Sequence, residues 1–298
     1  MPTVSIIVPN FNHAVFLKQR LDSILNQTFQ DFELIILDDR STDESRDIID
    51  SYRQHPKISR VVYNEVNTGS TFGQWKKGID LAKGEWIWIA ESDDWAEPEF
   101  LATMLAKAAN HPKCGLLVSI PRYCYFDGKT WNQNADGNVV ESTGYEFAHQ
   151  RMACANPIHN VSSVLLRRNE LLRLDLSYIT SMRLCGDWML YAMMCRITNV
   201  LEINQVLSNY RIHGTNVTSW AEQMGLPLIE GIDVLDYLTH CFNIPSKSFA
   251  RSWGRTWAKS DRKCRFDAET RKKIKAKMSH YPSIGFWYNL YRFRLCLK

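Results

Sequence analysis

Apolar residues arrive along this chain in short β-branched runs that stop at acids or turn residues, and each run is followed by a stretch with helical periodicity. Val4-Ser5-Ile6-Ile7-Val8 runs into Pro9-Asn10-Phe11-Asn12, a turn-rich tetrapeptide expected to stop a strand. Phe16, Leu17, Leu21, Ile24 and Leu25 then recur at the spacing of one helix face. Glu33-Leu34-Ile35-Ile36-Leu37 is a second short strand that ends in Asp38-Asp39, with Ser41-Thr42-Asp43-Glu44 as a helix start. Val61-Val62-Tyr63 leads through Asn67-Thr68-Gly69-Ser70-Thr71 to a helix face of Phe72, Trp75 and Ile79. The fourth run, Trp86-Ile87-Trp88-Ile89-Ala90, has no polar break, as expected of a strand buried on both faces. It passes into Glu91-Ser92-Asp93-Asp94 and a helix opened by Pro98-Glu99-Phe100-Leu101. Strands alternating with helices predict an α/β fold with a mostly parallel sheet and right-handed crossovers.

In such a sheet, ligands collect at the carboxyl ends of the strands, where Asp93 and Asp94 fall. Adjacent carboxylates repel unless something positive lies between them, and Mg²⁺ or Mn²⁺ prefers hard oxygen ligands and can bridge them to phosphates. The plainer alternative is a helix start that gathers acids around its dipole. No GxGxxG follows the first strand and no GxxxxGK[ST] occurs anywhere. Phosphates must then be held without a glycine cradle, which a cation on the paired aspartates would do.

Beyond residue 110 the pattern loosens. Gly115-Leu116-Leu117-Val118-Ser119-Ile120 and Val161-Ser162-Ser163-Val164-Leu165-Leu166 predict strands, with Asp127-Gly128 and Asp136-Gly137 marking turns around a polar loop of the kind that binds substrates. Gly186-Asp187 opens Trp188-Met189-Leu190-Tyr191-Ala192-Met193-Met194, apolar nearly all round and so a buried helix. An aspartate there is either an N-cap or a functional carboxylate. Leu201-Glu202-Ile203-Asn204 and Val206-Leu207-Ser208-Asn209-Tyr210 continue as strand into Arg211-Ile212-His213-Gly214-Thr215-Asn216, where a lone histidine is structural or a ligand. Residues 216–298 are expected to be helical, with Leu228, Ile232, Leu235 and Leu238 at helical spacing.

The chain has 298 residues, 45% of them hydrophobic, enough to bury a substantial core and to exclude a disordered protein. Eight cysteines show no CxxC pair, and the first residues lack the basic and apolar segments of a secretion signal, so a cytoplasmic protein is expected. No apolar run approaches the roughly 18 to 20 residues that cross a bilayer. The total charge of +4 hides an asymmetry: residues 251–298 hold 14 Lys/Arg against 3 Asp/Glu, net +11, which leaves −7 for residues 1–250. Bases there interleave with aromatics, Trp253, Trp257 and then Phe286-Trp287-Tyr288-Asn289-Leu290-Tyr291-Arg292-Phe293-Arg294-Leu295. That composition suits an anionic membrane surface, a basic helix packed on the body, or, last in order, nucleic acid.

Several ordered segments resemble the family 2 glycosyltransferases of the GT-A fold. They are Ser5-Ile6-Ile7-Val8-Pro9-Asn10-Phe11-Asn12, Leu25-Asn26-Gln27-Thr28-Phe29, Glu33 through Asp43, Lys83-Gly84-Glu85 with the strand that follows, Ser92-Asp93-Asp94 and Gly186-Asp187. The resemblance covers about residues 1–215: a nucleotide-sugar half near 1–110, an acceptor half near 111–215, then the helical region 216–298. It implies that Pro9, Asn10, Phe11, Asn12 and Asp39 hold the base and ribose, with Asp93 near the ribose. It further implies Asp94 as ligand of Mn²⁺ or Mg²⁺, His213 completing the cation site, and Asp187 as general base. Two positions depart from the pattern: the acidic motif is Ser-Asp-Asp, and Arg40 stands where glycine is common. The implied reaction is an inverting transfer from a nucleotide sugar, with UDP favoured by Asp39, to a hydroxyl of a glycan or lipid-linked acceptor of surface polysaccharide. The protein would work in the cytoplasm or on the inner face of the membrane, with room for a homodimer. Rival functions are a nucleotidyltransferase, for which His13 and Lys18 are the nearby cations, and a non-catalytic sugar or nucleic-acid binding protein.

Overall fold

Strand β1 (Val4–Asn10) and strand β2 (Phe32–Asp38) are buried along their whole length, and they pair in parallel from Val4 opposite Phe32 to Asn10 opposite Asp38. The strand expected to stop at Pro9 runs on through Asn10, because both residues pair with β2, and the turn begins at Phe11, beside Asp38 and Asp39. β3 (Ile58–Tyr63) extends the sheet past β2, and β4 (Trp86–Ile89) lies parallel on the other side of β1. Helices α1 (Ala14–Leu25), α2 (Ser45–Tyr52) and α3 (Thr71–Leu81) make the crossovers. The chain enters β4 through Gly84, where a Cβ would stand 2.5 Å from the Ser5 backbone nitrogen, so any other residue would push β4 off β1.

The computed structural model describes residues 1–214 and 221–296, with side chains to residue 293 in the last helix. Thr215, Asn216, the domain boundary drawn between them, and the side chains of Arg294 and Leu295 lie outside the described residues.

The expected parallel character holds for β3-β2-β1-β4 and then changes. The full order is β3-β2-β1-β4-β9-β6-β10-β5. β9 (Val164–Arg167) enters antiparallel to both β4 and β6 (Cys114–Tyr125), so the sheet is mixed. The strand expected from Val161 begins three residues later, because Asn160 caps a 3₁₀ turn over Val161–Ser163 by accepting from the Ser162 backbone N–H. β10 (Asn199–Ile212) is one strand where two segments are expected; it pairs in parallel with β6 through a bulge between Ile203 and Ser208. Short β5 (Trp95–Ala96), β7 (Thr130–Trp131) and β8 (Val139–Ser142) add antiparallel edges, and α4 (Phe100–Ala109) follows β5.

Strand alternation splits the core in two. Ile6 and Val8 face a layer with Leu17, Leu21, Trp88 and Phe100, while Ile7 faces Phe72, Trp75 and the helix Gly186–Cys195. The second layer continues without a break into the C-terminal helices, Leu226–Phe242, Ala250–Cys264, Ala268–Met278 and Pro282–Cys296. Leu228, Ile232, Leu235 and Leu238 are fully buried in it with Trp253 and Trp257. Of the two leading alternatives for the aromatic tail, membrane contact and packing on the body, Trp287 and Tyr288 take the second: Tyr288 stacks on Trp257 with ring centroids 3.8 Å apart and donates to Asp261. Phe286 and Phe293 stay outside, 65% and 66% exposed. Among the described residues no helix is long and apolar enough to cross a membrane.

Candidate active site

The turn after β4 is held open by buried partners. Asp94, 1% exposed, accepts hydrogen bonds from Asn160 Nδ2 and Ser162 Oγ, both at 2.8 Å, and from the Arg211 backbone N–H at 2.9 Å. Arg211 Nε also donates to the Asp93 carbonyl, and its guanidinium lies 4.6 Å from both the Phe16 and Trp95 rings. Its neighbour Asp93 meets a different set of partners. Asp93 Oδ2 lies 3.0 Å from His213 Nε2, and His13, whose Nδ1 is 2.8 Å from Ser92 Oγ, completes a group of three whose ligand atoms all lie within 4.8 Å of one another. Asp94, expected as the cation ligand, therefore sits in a buried hydrogen-bond network, and Asp93, expected near the ribose, sits between two imidazoles.

Burial alone would raise the Asp93 carboxyl, but the hydrogen bond to His213 and the adjacent imidazoles hold it below its ordinary range. Burial lowers His13 against the pull of Asp93, which favours the neutral imidazole that can bind a metal. Burial and the Asp93 charge push Asp94 up to about 6, and Glu91 is pushed to about 8 chiefly by burial, although Trp75 Nε1 donates to it at 2.8 Å. Beneath these acids lies Arg20 of α1, fully buried, donating to the Glu91 carbonyl and to Ser162 Oγ. Two imidazoles and a carboxylate fit one divalent cation, with Mn²⁺ suiting the nitrogen donors better than Mg²⁺.

The other expected residues form a second cluster at the ends of β1 and β2. Asn10 is buried and donates to Asp38 and Ser41; its Oδ1 has no partner among the described residues. Asn12, at φ +53°, accepts from the Thr42 N–H, and Phe11 is exposed. Arg40 stands at φ +63°, a left-handed conformation that costs a non-glycine residue roughly 1–2 kcal/mol, so the departure from glycine falls where glycine would be cheapest. Asp39 does not present a free carboxylate: Asn64, Thr68 and Gln74 all donate to it, pinning the loop before α3.

Asp187 lies in the first turn of the Gly186–Cys195 helix and is not its N-cap; the cap position is Cys185. Asn156 donates to Asp187 Oδ2 at 2.9 Å, and burial pushes the carboxyl up to about 7. The loop that leads into the helix is pinned from outside. Glu230, on the C-terminal helix Leu226–Phe242, accepts from the backbone N–H groups of Arg183, Leu184 and Cys185 at 2.8, 2.9 and 2.8 Å. A single loop joins the two centres, since Asn156 touches Asp187 and Asn160 touches Asp94.

Residues 5–174, more than half of the chain, match the model described as glycosyl transferase family 2. The chain belongs to this family. Glycosyltransferase GlyG of Streptococcus pneumoniae is 32% identical over 151 residues, which are 50% of this chain and 47% of that protein; the chain thus spans less than half of that relative. The putative teichuronic acid biosynthesis glycosyltransferase TuaG of Bacillus subtilis is 24% identical over 73% of this chain and 82% of its own length. Among solved structures, Staphylococcus aureus TarS in complex with UDP superposes with a TM-score of 0.62 at 15% identity, over 99% of this chain and 92% of that one. The mannosyltransferase PcManGT of Pyrobaculum calidifontis, in complex with GDP-Man and Mn²⁺, gives 0.56 at 16% identity over 100% and 86%. These likenesses show the glycosyltransferase fold across the whole chain, including Asp187, His213 and Glu230, which lie beyond the family match.

Several residues of the candidate site stand in positions that the sequence did not assign to them. Glu91 and Asp93 are acids two apart, a spacing masked by the adjacent pair Asp93-Asp94. His13 follows directly on the Pro9–Asn12 segment and so enters from the first strand's end. Arg20 and Glu230 carry no local signal, because each acts through groups 45 or more positions away.

Proposed function

We propose that this chain is an inverting, metal-dependent glycosyltransferase that moves a sugar from a nucleotide donor to a hydroxyl of a glycan or lipid-linked acceptor in surface polysaccharide biosynthesis. The observation that carries the reading is the His13–Asp93–His213 group, beside which one loop runs from Asp94, the neighbour of Asp93, to Asp187. His13, Asp93 and His213 would hold Mn²⁺, and when bound it would neutralise the departing diphosphate. The Pro9–Asn12 segment and the loop pinned by Asp39 flank the ends of β1 and β2, where base and ribose would lie, with the Asn10 Oδ1 acceptor available to a base N–H. Asp187, raised to about 7, takes the acceptor hydroxyl proton as the oxygen attacks the anomeric carbon from the face opposite the leaving group. One displacement inverts configuration.

UDP-sugars come first because TarS structures hold UDP and UDP-GlcNAc, although PcManGT holds GDP-Man. The nucleotidyltransferase alternative loses its cations: His13 belongs to the Asp93 group, and Lys18 pairs with Asp22 at 2.6 Å. We place the enzyme on the cytoplasmic face of the membrane, with its basic helices toward anionic lipid through Phe286 and Phe293 instead of Trp287 and Tyr288. Salt-sensitive pelleting with anionic vesicles would support that placement, and salt-indifferent pelleting would count against it. The donor is tested by nucleotide release from UDP-Glc, UDP-Gal, UDP-GlcNAc and GDP-Man with and without Mn²⁺. Mn²⁺-dependent release of UDP supports the proposal, and no release from any donor refutes it.

A further inference from the structure

Away from the cation group, the second half of β6 and the first half of β10 frame a pocket of about 300 Å³, at the lower end of the roughly 300–1,000 Å³ usual for ligand sites. Its walls are polar and electrically balanced. Arg151 Nη2 and Glu202 Oε1 lie 3.0 Å apart across it, so the strongest charges cancel, and the amides of Asn134 and Asn204 add donors and acceptors without net charge. Burial lowers His159, which favours its neutral form. A phosphate or nucleotide would find no uncompensated cation here.

One side is aromatic. Tyr123 lines the pocket and touches three rings: Trp131 at 5.1 Å, Tyr210 at 5.7 Å and His159 at 6.1 Å between centroids. Trp131, Tyr125 and Phe126 are 53%, 44% and 85% exposed on the same hairpin, although burying them would be favourable. Aromatic faces beside amides and a carboxylate–guanidinium pair match a sugar ring, whose C–H face lies on aromatic rings while its hydroxyls bridge planar polar groups.

The pocket also adjoins the catalytic loop. Pro157, Ile158 and His159 form part of its wall, between Asn156 on Asp187 and Asn160 on Asp94. We infer that this pocket is a subsite for an uncharged hexose or N-acetylhexosamine unit of the acceptor glycan, held by Tyr123, Arg151 and Glu202, with Trp131 setting the Tyr123 ring from behind the lining. The assignment to the acceptor rests on the proposed glycosyl transfer; the binding of a sugar does not.

The test uses the full chain and methyl β-glycosides of glucose, galactose, N-acetylglucosamine and N-acetylgalactosamine, followed by saturation-transfer NMR and tryptophan fluorescence without donor. At least one glycoside should bind in the millimolar range, and Trp131→Ala and Glu202→Gln should each weaken it by about tenfold or more, while UDP binding stays at the wild-type level. Both variants are checked for folding by circular dichroism, and Trp131, being exposed, should leave the fold intact. Glycoside binding that is lost in the variants while the wild type ignores nucleotides would uphold the sugar subsite and sink the transfer reaction. No binding by any of the four glycosides, binding unchanged in both variants, or binding of methyl glucuronide alone would overturn the subsite.

Discussion

Replacing Asp187 with asparagine separates the proton acceptor from the polar group that fills the same space. Burial raises this carboxyl from 3.8 to about 7, so holding it ionised costs up to ~4 kcal/mol at ~1.4 kcal/mol per unit. Relaxation and water entry around a residue that is part-buried as a whole cut the figure roughly in half. Asn also gives up one of the two acceptor oxygens that Asn156 and Trp188 use, a loss of about 1 kcal/mol. The sign follows from the raised folded-state value: the wild type keeps its full stability below the unfolded value of 3.8 and loses it as pH rises to about 7. Asp187→Asn should then be about 1 kcal/mol more stable than the wild type near pH 8 and no more stable near pH 4. Its transfer rate should fall by roughly two to four orders of magnitude, and wild-type kcat/KM should rise with pH up to about 7 and then level. Denaturant unfolding at the two pH values and initial-rate assays from about pH 5 to 9 measure both. A folded Asp187→Asn enzyme with near wild-type transfer, or a wild-type profile flat across that range, would refute Asp187 as the base.

Two further substitutions probe the supports. Glu230→Ala orphans three backbone N–H groups ahead of the Asp187 helix and should cost ~2–4 kcal/mol in denaturant unfolding, with kcat falling while UDP affinity holds; an unchanged midpoint would mean that the C-terminal helix does not support the base. Arg20→Met removes the buried cation beneath Glu91, Asp93 and Asp94 and should destabilise the fold by roughly 3–5 kcal/mol at neutral pH and less at about pH 5, where Asp94 joins Glu91 in the protonated form; equal losses at both values would show packing, not charge, to be the contribution.

The first half of the fold is legible in the sequence because its parallel strands are buried on both faces and appear as unbroken apolar runs, as at Ile35 and Ile87. The second half is less legible: β9 is short and antiparallel, and its start is decided by the Asn160 cap, not by the apolar run from Val161. The acids of the site are visible as types but not as roles. Asp93 and Asp94 are adjacent and chemically identical; partners from Asn160, Ser162 and Arg211 decide which one faces the histidines, and all three are distant in sequence. The partners of Asp39 are hidden for the same reason, its carboxylate being shared among Asn64, Thr68 and Gln74. The aromatic tail divides by helix geometry: Trp287 and Tyr288 reach the core, while Phe286 and Phe293, seven apart, lie together on the outer face.

Cation-dependent donor binding through His13, Asp93 and His213 is measured most directly by calorimetric titration of UDP into the full chain with Mn²⁺, with EDTA, and with Mn²⁺ in Asp93→Asn. UDP should bind the wild type with Mn²⁺ and weaken by about tenfold or more both in EDTA and in the folded Asp93→Asn protein. Equal UDP affinity under all three conditions would contradict the cation site at Asp93 and the mechanism built on it.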